Sequence, residues 1–134
     1  MKKLSKEHAK EELKRKAEGV TEQDLAKVLD KKKAIEDKFK SSGPLGRYIE
    51  DMKLLFSLIK DYVNGSYREI PWYSIAAIAT ALLYVLNPID LIPDLIPLVG
   101  LIDDAVILAK CLSMVESDLH TYKEWKLKQL DVKK

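Results

Sequence analysis

Residues 72–104 read WYSIAAIATALLYVL, then NPIDLIPDLIPLVG, then LIDD. From Trp72 to Leu86 there is no charge on any helical face. A helix that is apolar all round either sits at the centre of a core or lies in a membrane. Pro71 suits its first turn, where the missing N–H removes no intrahelical bond. Ser74, Ala76, Ala77, Ala79, Thr80 and Ala81 are small enough to let neighbouring helices approach closely. Asn87–Gly100 then holds three prolines and a glycine, and its only charges are carboxylates. Such a stretch cannot continue the helix. After it, Leu101, Ala105, Leu108, Leu112, Val115, Leu119 and Tyr122 alternate steps of four and three, the spacing of one helical face. The pattern predicts a helical hairpin, residues 71–86 and 100–125, joined by a proline- and aspartate-rich connection.

Upstream, Tyr48, Met52, Leu55, Ile59 and Tyr62 predict a third helix, from about Leu45 or Arg47 to Val63, lying across the hairpin. Asn64-Gly65 gives it a left-handed stop. Before it, Thr21 and Asp24 form a capping-box-like start. Leu25, Val28, Leu29, Ile35 and Phe39 follow on one stripe, up to the breaker Ser41-Ser42-Gly43-Pro44. Lys31-Lys32-Lys33, flanked by Asp30, Glu36 and Asp37, reads as a solvated face rather than a phosphate patch. Residues 5–18 are strong helix formers, but Leu4, Leu13 and Ala17 are their only apolar anchors. A helix with so narrow an apolar face is marginal alone, so fraying or docking on a partner is expected. No segment alternates with the period of a strand, and no repeat is evident.

The expected fold class is therefore all-α. It is a compact bundle of about five helices built on the hairpin, with a charged N-terminal helical arm. Residues 1–42 would be the arm, 43–126 the core domain and 127–134 a disordered tail. A chain of 134 residues suits one domain. With 23 basic and 21 acidic residues it lacks the basic excess of a nucleic-acid binder, and no nucleic-acid partner is expected. Charge is uneven: residues 1–40 carry 13 Lys/Arg against 9 Asp/Glu, whereas no base occurs from Glu69 to Ala109. One cysteine, Cys111, excludes an intramolecular disulfide and suits a reducing compartment. The start MKKLSKEH has no apolar region behind it, so secretion is not expected. A cytoplasmic location follows, with membrane association as an extension of it.

The membrane question turns on length. Trp72–Leu86 makes about 22 Å of helix at 1.5 Å per residue, whereas a bilayer core is about 30 Å thick. Asn87, Asp90 and Asp94 would also enter the bilayer, at about 2.5 kcal/mol or more for a charge at its centre. A core helix is favoured over an integral membrane hairpin. Peripheral or re-entrant attachment is the serious alternative.

Asp90, Asp94, Asp103 and Asp104 are the candidate site. An antiparallel hairpin could bring them together, and carboxylates without neighbouring cations suit a hard divalent ion such as Mg²⁺ or Ca²⁺. The competing explanation is structural. Asn87-Pro88-Ile89-Asp90 reads as an N-cap, a proline at the first position and an acid at the third. Asp103 and Asp104 suit the positive end of the next helix, and Arg47, Arg68 or Lys110 could pair with any acid left over. Capping is the favoured reading, since such caps are common and each contributes about 1 kcal/mol. No catalytic set, cofactor loop, zinc cluster or redox cysteine pair stands out. His8 and His120 are expected in solvent, Cys111 in the core, and Trp72, Tyr84 and Trp125 in packing roles.

The span from Ala81 to Asp104 closely resembles the signature of the YkvA-like family, a small bacterial and archaeal domain of unknown function. That pattern is an apolar helix ending in Tyr, then Pro-x-Asp-Leu-x-Pro-Asp, then Gly-x-x-Asp-Asp. The matching positions are Tyr84, Pro88, Asp90, Leu91, Pro93, Asp94, Gly100, Asp103 and Asp104. The resemblance covers roughly residues 70–115 and implies no reaction. It does imply membrane association, in which family members are often described. The function expected is that of a non-catalytic helical interaction module. It would act through a protein partner, through self-association of the N-terminal helices, or at a membrane surface. A divalent-metal-dependent enzyme, such as a hydrolase using the four aspartates, and an integral membrane hairpin are the alternatives.

Overall fold

The structure, a computed structural model, describes residues 6–41, 43–86 and 104–133. The described residues form α1 (Lys6–Ala17), α2 (Glu22–Asp30), α3 (Lys32–Ser41), α4 (Gly43–Gly46), α5 (Ile49–Val63), α6 (Trp72–Leu86), α7 (Asp104–Met114) and α8 (Glu116–Lys133). Among them there is no strand, and the fold is all-α.

The central element is α6, the helix without charge. It packs against α1, α2, α3, α5 and α7. Every residue from Ser74 to Leu82 is buried, as are Tyr84 and Val85. The small side chains make this crowding sterically feasible, and Thr80 returns its hydroxyl to the Ala76 carbonyl at 2.9 Å, so it brings no unpaired polar group into the core. Burial of Ile75, Ile78, Leu82 and Val85 removes large apolar surfaces from water, each contributing about 1.5–3 kcal/mol. Pro71 stands one position earlier than expected. Its carbonyl accepts from Ser74 and Ile75, so it caps the helix and Trp72 is the first helical residue.

Local signals shape the flanking helices. The Thr21 N–H donates to Asp24 Oδ2 at 2.9 Å, the reciprocal half of a capping box, and α2 starts there. Gly65 takes a positive φ of 86° just after α5, where a residue with a Cβ would be strained. The stripe from Leu25 to Phe39 is divided at Lys31 into α2 and α3, yet Lys31 N–H reaches the Lys27 carbonyl and Ile35 N–H reaches that of Lys31. The helix after the connection is divided at Val115 in the same way, with Val115 bonded to Cys111 and Leu119 to Val115. It does not end near Trp125. Residues 127–133, expected as a disordered tail, are helical through Lys133.

The N-terminal helices also differ from expectation. Leu13 and Ala17 of α1 are buried, and α1 lies against α6 and α7. Leu25, Val28, Ile35 and Phe39 join the same core as Leu55, Ile78 and Leu108. The narrow apolar face of α1 is closed within this chain because α6 offers an apolar surface on every side.

Candidate functional site

The hairpin sets the geometry around the aspartates. Cys111 Sγ lies 3.6 Å from the Ala77 carbonyl, and the Ser74 hydroxyl donates to Asp118 Oδ2 at 2.6 Å. Moving back along α6 from Ala77 to Ser74 moves forward from Cys111 to Asp118, so the two arms are antiparallel. The end of α6 and the start of α7 therefore share one end of the bundle, and α7 opens at Asp104. Asp90, Asp94 and Asp103 lie outside the described residues, as does the side chain of Asp104. Among the described residues no group of three or more His, Cys, Asp or Glu side chains could hold a metal ion. Two of the bases considered as partners lie against rings: Arg68 is 4.4 Å from the Tyr62 centroid and Arg47 is 5.8 Å from that of Tyr48.

A second polar cluster was not singled out from the sequence. Ser57 and Asp61 lie one turn apart on α5, and Tyr122 and Lys126 one turn apart on α8. Asp61 is 8% exposed. Its Oδ2 accepts the Tyr122 hydroxyl at 2.6 Å and Lys126 Nζ at 2.9 Å. Because Tyr122 donates to Asp61, its oxygen accepts from Ser57 Oγ, at 2.5 Å. Burial, and then the hydrogen bond to Asp61, push the Tyr122 phenol well above its ordinary range. Tyr67 packs edge-on against Tyr122, and Trp125 stacks beside it, with centroids 5.0 and 5.8 Å away. Lys126 balances the Asp61 charge, and both residues line clefts of about 240 and 440 Å³. This arrangement holds α8 to α5. An aspartate one turn beyond Leu58 on an apolar face, and a lysine one turn beyond Tyr122, were the signals available in the sequence.

The remaining candidate groups are explained by packing. Cys111 is fully buried, and burial pushes its thiol up to about 12, which leaves it unreactive. His120 is exposed beside Glu124, at 3.6 Å. Tyr84 is buried in the core, Trp72 lies 6.0 Å from Tyr62 and Trp125 belongs to the Tyr67–Tyr122 stack.

Comparison with known proteins falls on the hairpin. A family described as a protein of unknown function (DUF1232) matches residues 74–109, which run from the first turn of α6 into α7. The chain is 32% identical over 79 residues to the uncharacterized membrane protein YkvA of Bacillus subtilis, covering 59% of this chain and 74% of that relative. No solved structure matches. The signature residues, the family match and the extent of this similarity agree, and the chain belongs to the YkvA-like family.

Proposed function

We propose that this chain is a non-catalytic helical module that attaches peripherally to a membrane surface. The observation that carries the reading is the enclosure of α6. Its apolar faces are engaged by five other helices, and turning them to lipid would dismantle the core. Among the described residues no helix is long and apolar enough to cross a membrane. A relative is nonetheless named as a membrane protein, so contact must come from other parts of the chain.

Two regions suit it. Leu127 and Leu130 on α8 are 62% and 56% exposed. Lys123 and Lys128 are exposed on the same helix, so apolar side chains and bases that anionic headgroups attract lie close together. Between Asn87 and Asp103 the sequence also offers nine Ile, Leu and Val residues and no base. Flotation of the full chain with vesicles tests the reading. Binding to phosphatidylcholine vesicles containing phosphatidylserine, weakened by Leu127→Ser with Leu130→Ser and by high salt, is the expected outcome. Absence of binding to vesicles of either composition contradicts it.

A further inference from the structure

A cleft of about 580 Å³ opens between the end of α1, the outer face of α2 and the second half of α6. This is within the range of small-molecule sites, about 300–1,000 Å³. Its lining is mixed. Val20, Leu83 and Leu86 supply apolar side chains, and Lys16 on α1, Lys27 on α2 and Lys31 at the α2–α3 junction supply bases.

The cleft has one carboxylate among its described lining residues, Asp24, and it is turned to its own helix start. It accepts the Thr21 N–H at 2.9 Å and the Thr21 hydroxyl at 3.3 Å. None of Lys16, Lys27 and Lys31 is paired with a carboxylate among the described residues. The neighbouring Lys38 is engaged differently, donating to the Val85 carbonyl at 3.2 Å. Thr80 contributes no free donor to the cleft, since its hydroxyl bonds Ala76. The result is a concave space lined by three lysines without a carboxylate partner among the described residues and by three aliphatic side chains. Lys31, in a run that reads as solvated surface, lines the cleft at the α2–α3 junction.

We propose that this cleft binds an amphiphilic anion: a phosphate or carboxylate head on Lys16, Lys27 and Lys31, and an alkyl chain along Val20, Leu83 and Leu86. The head alone would lack the apolar contact, and a neutral chain would leave the cations without a partner. The ligand can come from free amphiphile or from an anionic membrane lipid, which share this chemistry. The proposal does not rest on peripheral attachment through α8.

The test is calorimetric titration of the full chain with dodecyl phosphate below its micellar concentration, without vesicles. Saturable one-to-one binding is expected. Lys27→Glu with Lys31→Glu should weaken it by about tenfold or more, the loss of at least one charge-assisted hydrogen bond. Both positions are exposed, and an unchanged melting temperature verifies that the variant is folded. Leu83→Asn should weaken binding through the other half of the site. Inorganic phosphate and dodecanol should each bind at least about tenfold more weakly. No saturable binding, equal binding by the Lys27/Lys31 variant, or equal binding by dodecanol overturns the proposal.

A vesicle arm assigns the source. Retention on phosphatidate vesicles, released by competing dodecyl phosphate, supports a membrane lipid as the ligand. Dodecyl phosphate binding with no vesicle retention supports a free amphiphile, and sinks peripheral attachment while leaving the cleft intact.

Discussion

Tyr122 on α8 donates its phenolic hydrogen to Asp61 on α5 across 2.6 Å, and the rest of the α5–α8 contact is arranged around that bond. Lys126 reaches the same oxygen. Tyr122→Phe keeps the ring in the stack with Tyr67 and Trp125 but withdraws the donor from a buried carboxylate. Loss of a hydrogen bond to a charged group should lower stability by about 1.5–3 kcal/mol. Lys126→Ala should lower it by less, about 0–1 kcal/mol, because its side chain is 43% exposed and the pair is partly screened. Urea unfolding followed by circular dichroism measures both. Equal effects of the two variants would refute this ranking.

Alkaline pH should weaken the fold through Cys111 and Tyr122. Both groups are held above their ordinary values, chiefly by burial. Below about pH 8 both are protonated in folded and unfolded chains, and stability is complete. As pH rises through the unfolded thiol value of 9.0, the unfolded chain releases its proton while the folded chain keeps its own up to about 12. The unfolded state then binds fewer protons, so stability falls, by up to about 1.4 kcal/mol per pH unit for each group. Tyr122 adds its share above the ordinary phenol value of 10.0. Denaturant midpoints from pH 8 to 11 should fall, and Cys111→Ala should flatten the first part of that fall. A midpoint constant to pH 11 would contradict the assignment.

Leu13→Ala tests whether α1 belongs to the core. The side chain is fully buried, and such truncations lower stability by about 2–5 kcal/mol. One cooperative transition, shifted by that amount, is expected. An unchanged main transition would mean that residues 6–17 behave as a separate arm.

Asp90, Asp94, Asp103 and Asp104 are proposed to serve helix N-termini, Asp90, Asp103 and Asp104 as first-turn acids. Each Asp→Ala change should then cost about 0.3–1 kcal/mol. Mg²⁺, Mn²⁺ or Ca²⁺ at millimolar concentration should leave the melting temperature unchanged. A rise in melting temperature that grows with ion concentration and disappears in Asp90→Asn would establish the metal reading instead.

The sequence carried the elements whose causes are local. The Thr21–Asp24 start, the Gly65 stop and the antiparallel hairpin follow from signals within a few residues, and the enclosed α6 follows from composition. What escaped depends on distant partners. Asp61 and Tyr122 are 61 positions apart, and neither periodicity nor propensity says that α8 will lie against α5. The burial of Leu13 likewise needed a receiving surface that only the assembled α6 and α7 provide. The cleft was hidden for the same reason: Lys16, Lys27 and Lys31 meet Leu83 and Leu86 only after α1 and α2 dock on α6.

The central claim is that α6 stays inside the bundle while the chain is on a membrane. It is tested by binding the full chain to vesicles containing a phospholipid with a photoactivatable group on its acyl chain, then mapping the cross-links by mass spectrometry. Peripheral attachment predicts labels around Leu127 and Leu130 or within residues 87–103, and none from Ser74 to Val85. Labels on Ile75, Ile78 or Leu82 would put α6 in contact with lipid and contradict the account.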